Sequence, residues 1–354
     1  MNVGTGLALG REHKPELARR AVSEALANAD LQVANSVLLF LTSEFARNPE
    51  PALMAAGAAA SCVQVVGCSA PGIFTEQDWV LDAPAAAAMV FGNGYGLAAE
   101  PRPEAQQLLL SLAAPNAVNT TWLATPGRRF GGISGDATGQ GPFSIWRNGK
   151  GVADGHCELA IQGATGAVGA AHGVRVLSEP KPVTAAVGHD IVFLGGKPAL
   201  DTLQRAYPDQ PDLPLHRLMA GIADSLEAFK HGNYRLAPLV CANETDRTVT
   251  LARLVEPEQL VFWALREADA AEADLAHTID KLAAGLGAAP QFGLLFSCLG
   301  RGPYLYSGID RDLERLQQRF PGMPFIGFYG NGEIAPINGT NELLQYSAVL
   351  GLFH

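Results

Sequence analysis

The chain has 354 residues, 48% hydrophobic and 17% charged, with a formal net charge of -10. This composition describes a globular protein able to bury a large core and excludes a disordered chain. The acidic balance lacks the clustered Lys and Arg that a phosphate backbone requires, so nucleic acid and anionic membranes are excluded as partners.

The opening MNVGTGLALGREHKPELARR turns into a charged amphipathic helix by Pro15. It has no basic stretch followed by an apolar core, so no signal peptide is predicted. The longest apolar run, APAAAAMVFG, is far short of the ~20 residues that span a bilayer. The expectation is a cytoplasmic chain without membrane insertion.

NSVLLFLTS reads as a buried strand and PEPALMAAGAAAS as a small-residue helix opened by prolines. VQVVG is a second strand entering the loop GCSAPG (67–72), and AAAAMVFG a third. GNGYG (92–96) superficially suggests a dinucleotide fingerprint, but Pro101 and Pro103 follow and no helix opens at its third glycine. A hairpin loop is predicted there. A degraded middle copy follows, with EAQQLLLSLAA as helix, TTWLAT as strand, RRFGGISGD entering a loop (131–136) and CELAIQG as the returning strand.

The Pro-containing SEPKPVT marks a boundary, giving domains 1–180 and 181–354. Beyond it, DLPLHRLMAGIADSLEAF carries Leu215, Leu218, Ile222, Leu226 and Phe229 at helical spacing. RLAPLVCAN and TVTLARLV read as strands, and AEADLAHTIDKLAAGL presents Leu275, Ile279, Leu282 and Leu286 on one helical face. The third copy is FGLLFSC, then the helix SGIDRDLERLQQRF, the strand MPFIG, the loop GFYGNGE (327–333) and the closing strand SAVLGLF. In that helix Ile309, Leu313, Leu316 and Phe320 share a face, and Ser307 to Asp310 has capping-box-like spacing. The fold predicted is α/β of the mixed α+β kind. Repeated strand-helix-strand-strand units form two related domains with mixed sheets flanked by helices.

Three Gly loops therefore correspond in position. Glycine serves where the backbone takes positive φ or comes close to something else. The loop amides either hold an anion or polar ligand or simply close tight turns. Cys68 is the best nucleophile candidate, with Ser69 and Ser134 behind it. GCSAP and GISGD both lack the last glycine of the GxSxG elbow, however, and no histidine is marked as a base. The cysteines form no CxxC pair, so neither a structural disulfide nor a thiolate zinc site is predicted. Asp274, His277 and Lys281 share a helix face that reads as a solvated charged stripe. His156, His172 and His189 lack HxxxH spacing. Arg301, in SCLGRG, is placed to pair with a ligand carboxylate, with Glu333, or with solvent. Glu333 has no second acid nearby in sequence. A structural clasp or a contact to a ligand's ammonium group outweighs general-base catalysis.

The motifs VVGCSAPGI, FGGISGD, SCLGRG and FIGFYGNGEIAP resemble the FIST sensory family, with its N-terminal and C-terminal domains, from about Ser36 to Phe353. The resemblance implies a ligand-binding sensory module for small molecules such as amino acids, found in bacterial signalling proteins. Carried across residue by residue, its site elements are Gly67, Cys68, Ser69, Gly132, Asp136, Cys298, Arg301, Gly302, Gly327, Gly332 and Glu333. No catalytic residue and no cofactor belong to this reading. Some members are described as heme-containing nitric oxide sensors. That alternative points to His172, in AHGVRVLSEPKPVT, where many relatives carry a Gln-Gly-Cys-x-Pro-like segment. An enzyme with Cys68 as nucleophile is the third reading. The chain reaches His354 with no kinase, cyclase or methyl-accepting segment, so output is expected through a partner in trans, such as a histidine kinase or cyclase.

Overall fold

A computed structural model of the chain describes residues 2–99, 103–208 and 213–354. The apolar run Ser36–Thr42 is buried at every position and forms a strand paired in parallel with Val65–Ala70. The helix Glu50–Ala60 connects the two, as a parallel pair requires. The same parallel pair recurs as Leu108–Ala113 with Arg128–Ile133, and as Phe292–Cys298 with Phe325–Gly330. Each pair is followed by a hairpin and then by a strand that returns antiparallel beside the first of the pair.

The three hairpins are exchanged. The first, Gly72–Thr75 with Trp79–Leu81, pairs with Phe325–Gly330 of the third copy. The second, Ile145–Arg147 with Lys150–Gly151, pairs with Val65–Ala70 of the first. The third, Glu333–Ile337 with Thr340–Leu344, pairs with Arg128–Ile133 of the second. Three six-stranded mixed sheets of one plan result, here called I, II and III after the copy that supplies the parallel pair. Their inner faces share one apolar core that includes Phe40, Leu110, Phe130, Phe296 and Phe328. The fold is mixed α+β, as predicted.

The repeats are thus borne out, with two corrections in the middle copy. Leu108–Ala113 is a strand and Thr120–Leu123 a short helix, the reverse of the prediction. Six apolar or small residues buried on both faces fit a strand as well as a helix, and Asn119 caps the helix by accepting from the Trp122 amide at 2.9 Å. The turn at 92–96 is not a hairpin either, since Ala85–Phe91 lies in sheet I and Gly96–Ala98 in sheet II.

The chain divides into two compact units, but not in linear order. The sheets belong to one unit, made of the described residues up to Ala171 together with Leu275–His354, and His172–Asp274 form the other. SEPKPVT is not a linker, because Lys181–Val187 is a strand of the second unit with Val183 fully buried.

That second unit is a closed antiparallel ring. Leu260–Arg266 pairs with Lys181–Val187, then come Asp190–Leu194, Thr248–Leu251, Tyr234–Asn243 and Leu218–Ala223, which pairs again with Leu260–Arg266. The helix Ala199–Ala206 packs Leu200 and Leu203 into its core. The long helix predicted over 212–229 is instead the strand Leu218–Ala223 and the short helix Leu226–Lys230; Asp212 lies outside the described residues. LMAGIA is buried at every position, so its period carries no information, and Gly221 makes room for Phe262, whose Cζ would lie 2.0 Å from an added Cβ.

Candidate functional site

The three glycine segments occupy equivalent places. Gly67, Gly131 and Gly327 each lie in the second strand of a parallel pair, opposite Leu39, Ser111 and Leu295. A Cβ on them would stand 1.7, 1.9 and 1.7 Å from the carbonyl oxygens of those partners. Close approach of neighbouring strands therefore requires glycine at all three positions. Two of the notches are filled by aromatic side chains, since a Cβ added at Gly67 would lie 2.9 Å from Trp146 Nε1 and one at Gly327 2.6 Å from Phe74 Cε2. The segments begin as strands, and the amides beyond them are already bonded. Ser69 donates to the Ser144 carbonyl, Ile133 to Gly332, Ser134 to Ala113 and Asn331 to Ile133.

The three strand ends do come together. Ser69 and Ser134 hydroxyls are 3.3 Å apart, and Ser134 Oγ donates to the Ser69 carbonyl at 2.6 Å. Gly135 packs against the Asn331 side chain, with an added Cβ 2.6 Å from Oδ1. Gly132 faces Glu333 across the sheet and leaves space for Phe328, whose Cζ would be 2.6 Å from a Cβ there. Asp136 is half-buried; its Oδ2 accepts from the Thr138 hydroxyl and the Gly141 amide, while its buried Oδ1 has no partner. Gly332 turns the chain into the strand Glu333–Ile337.

Cys298 and Arg301 close the end of Phe292–Cys298. The Cys298 amide donates to the Ser347 carbonyl. Arg301 is fully buried and grips Asp312 bidentately, Nε to Oδ2 at 2.6 Å and Nη2 to Oδ1 at 3.1 Å, while Nη1 donates to the Ala171 carbonyl. The Tyr306 hydroxyl donates to Asp312 and that of Tyr329 to Asp310. Asp310, rather than Ser307, caps the helix Arg311–Arg319 through the amides of Asp312 and Leu313. Ile309 is exposed, whereas Leu313 and Leu316 are buried as predicted. Burial and the neighbouring Asp312 push the Asp310 carboxyl up to about 6. Gly302 takes a left-handed φ of 46°, and a Cβ would sit 2.5 Å from Tyr329 Cε1, so glycine is required there too. Asp310, Asp312, Tyr306 and Tyr329 were not legible as site residues. The one sequence signal for them is the Asp-x-Asp at a helix start, which ordinary capping also explains.

Glu333 stands apart. It is 0% exposed, and neither carboxyl oxygen has a hydrogen-bond partner. The Ser347 amide approaches it as a donor and the Arg301 guanidinium attracts its charged form, but burial is the larger effect and pushes its carboxyl well above the usual range. Sheet register sharpens the point. Glu333 faces Gly132, Ile73 faces Phe328, and Ile145 faces Cys68, so these are equivalent pairs in sheets II, III and I. Two copies place isoleucine where the third places an acid. Its strand neighbours Ala335 and Ile337 belong to the shared apolar core.

Cys68 lies fully buried in that same core, in a cluster with Phe40, Ile145 and Cys157, and burial pushes its thiol well up. This environment disfavours a thiolate nucleophile. His172 is in the other unit, buried, with its ring stacked on Tyr234 at 4.7 Å and Tyr234 edge-on to Phe262 at 4.9 Å. Its amide and that of Gly173 donate to Asp274, the acid predicted to be solvated. A heme iron would bind Nε2 in the plane of the imidazole, and that atom is buried against protein with no room for a porphyrin beside it, so these residues do not fit the group.

The profile of the FIST N domain matches residues 35–197 and that of the FIST C domain residues 199–336. The chain is similar to the uncharacterized protein Rv0628c of Mycobacterium tuberculosis, 31% identical over 229 residues, which cover 63% of this chain and 60% of the relative. It is also similar to the uncharacterized protein Mb0898c of Mycobacterium bovis, 29% identical over 229 residues, covering 63% of this chain and 59% of the relative. The match thus spans about 60% of the length of these curated relatives. Among the described residues no helix is long and apolar enough to cross a membrane. With the two profiles meeting between residues 197 and 199, the chain belongs to the FIST family, whose domains are regarded as sensory, ligand-binding modules of signalling proteins.

Proposed function

We propose that this chain is a non-enzymatic sensor that binds a small molecule through Glu333 and signals to a partner protein in trans, such as a histidine kinase or cyclase. The observation that carries the reading is a fully buried acid with no hydrogen-bond partner, at a position that two equivalent sheets fill with isoleucine. Leaving a buried polar group unpaired costs about 1–3 kcal/mol, a cost that a ligand's hydrogen-bond donor removes. A ligand with an ammonium group, amino-acid-like or a simple amine, matches an acid better than an anion does.

Access runs through the strand ends. Leu299, Gly300, Asn331 and Asp136 are half-buried there, beside residues that are fully enclosed. Admitting a ligand requires the segment around Gly300 to move, and that displacement is what a partner would read.

Thermal-shift titration of the full chain with the twenty amino acids, n-butylamine and n-butyrate tests the proposal. Stabilisation by an amine-bearing compound, absent in Glu333→Ile, is the expected result. Equal responses in both proteins, or stabilisation by butyrate alone, would remove Glu333 from the binding role.

A further inference from the structure

We infer that Glu333 carries its proton in the ligand-free protein and releases it when a cationic ligand group arrives, so that sensing is coupled to pH. This rests on the reading of Glu333 as the ligand contact and adds the regulation of that contact.

An ionised carboxylate in a protein interior needs hydrogen bonds or a committed cation. Neither oxygen of Glu333 has a hydrogen bond of normal geometry, the neutral Ser347 amide being the one donor that approaches it, and the cation that acts on it, Arg301, makes two bonds to Asp312 and one to the Ala171 carbonyl. The other elements packed against Glu333–Ile337 offer no better partner. On Arg128–Ile133, Arg129 is held by Glu158 and the Thr125 carbonyl, and Arg128 is exposed. On Thr340–Leu344, Glu342 is itself an acid and accepts from the Thr340 hydroxyl. Phe292–Cys298 contributes only Cys298, while Gly166–Ala171 and Ala348–Phe353 carry no titratable side chain. Desolvation therefore outweighs the pull of Arg301 and favours the neutral acid.

The exchange balances without leaving net charge inside. The carboxyl O–H bond breaks and its proton passes to solvent, while N–H groups of the arriving ammonium bond the carboxylate oxygens. A neutral acid becomes a neutral ion pair. Because one proton leaves per ligand bound, affinity for an amine rises about tenfold per pH unit for as long as the free protein holds the proton. A neutral or anionic ligand keeps the proton in place and shows no such slope.

Infrared difference spectra of the full chain, wild type minus Glu333→Gln and wild type minus Glu333→Ile, read the proton without any ligand. A protonated-carboxyl C=O band at both about pH 6 and about pH 8 is expected for a desolvated acid. Ionised-carboxylate bands in its place would overturn the inference and leave Glu333 free to act as a permanently charged contact. Calorimetric titration with n-butylamine in buffers of different ionisation heat adds the second readout. It should show about one proton released per amine bound, as linkage requires, and binding without proton release would also overturn the inference. Failure of n-butylamine to bind counts against the ligand reading alone, because the infrared band decides the proton independently.

Discussion

Sheets I and III treat one buried position as sheet II does not. In the first two, an isoleucine on the exchanged hairpin faces Cys68 or Phe328 and the contact is apolar. In sheet II the same register brings Glu333 against Gly132. Two copies show what the architecture needs at that place, and the third shows what it tolerates. The difference separates a fold requirement from a candidate functional feature within one molecule, with no relative needed for the comparison.

The largest expected effects break what the sheets have in common. Gly67→Ala, Gly131→Ala and Gly327→Ala each force a methyl group to within 1.9 Å or less of a carbonyl oxygen. Each should destabilise the protein by about 3 kcal/mol or more, read by urea denaturation. Unequal losses, with one site tolerant, would show that the sheets are not equivalent. Of similar size is Arg301→Met, which strands Asp312 in the interior and should cost about 3–5 kcal/mol. Adding Asp312→Asn should recover part of that loss in a double-mutant cycle, and strict additivity would mean that the two residues act separately.

A pH effect sharpens the third copy. Folded Asp310 keeps its proton up to about pH 6, against an ordinary value of 3.8. Between those values the folded state binds more protons than the unfolded chain. Its contribution is full below 3.8 and is lost as pH rises towards about 6. Glu333 acts in the same sense over a range that also extends upward from the ordinary carboxyl value. The stability difference, wild type minus Asp310→Asn, should therefore fall from acid to neutral pH. An identical slope in both would contradict the assignment.

The sequence showed the triplication because local patterns repeat. Leu39–Gly67 and Leu295–Gly327 are copies of one strand-and-glycine arrangement, and the matching loops aligned position by position. Hairpin exchange stayed hidden, since nothing local to Gly72–Thr75 says that its partner is Phe325–Gly330. Glu333 could be singled out, but its burial could not, because its sequence neighbours are turn-forming Asn331 and Gly332. Arg301 was legible as a charged residue at a strand end. Its partner Asp312 was not, for that pairing depends on how the helix Arg311–Arg319 folds back. The ring of the second unit is not legible at LMAGIA, which is apolar throughout and gives no period to choose between helix and strand.

The smallest predicted change is the most diagnostic. Glu333→Ile gives sheet II the residue that sheets I and III already carry and removes an unpaired buried carboxyl. The unfolding free energy of ligand-free protein should rise by about 1–2 kcal/mol, with the thermal midpoint moving up accordingly. A midpoint that falls instead would make Glu333 a structural clasp and contradict the account.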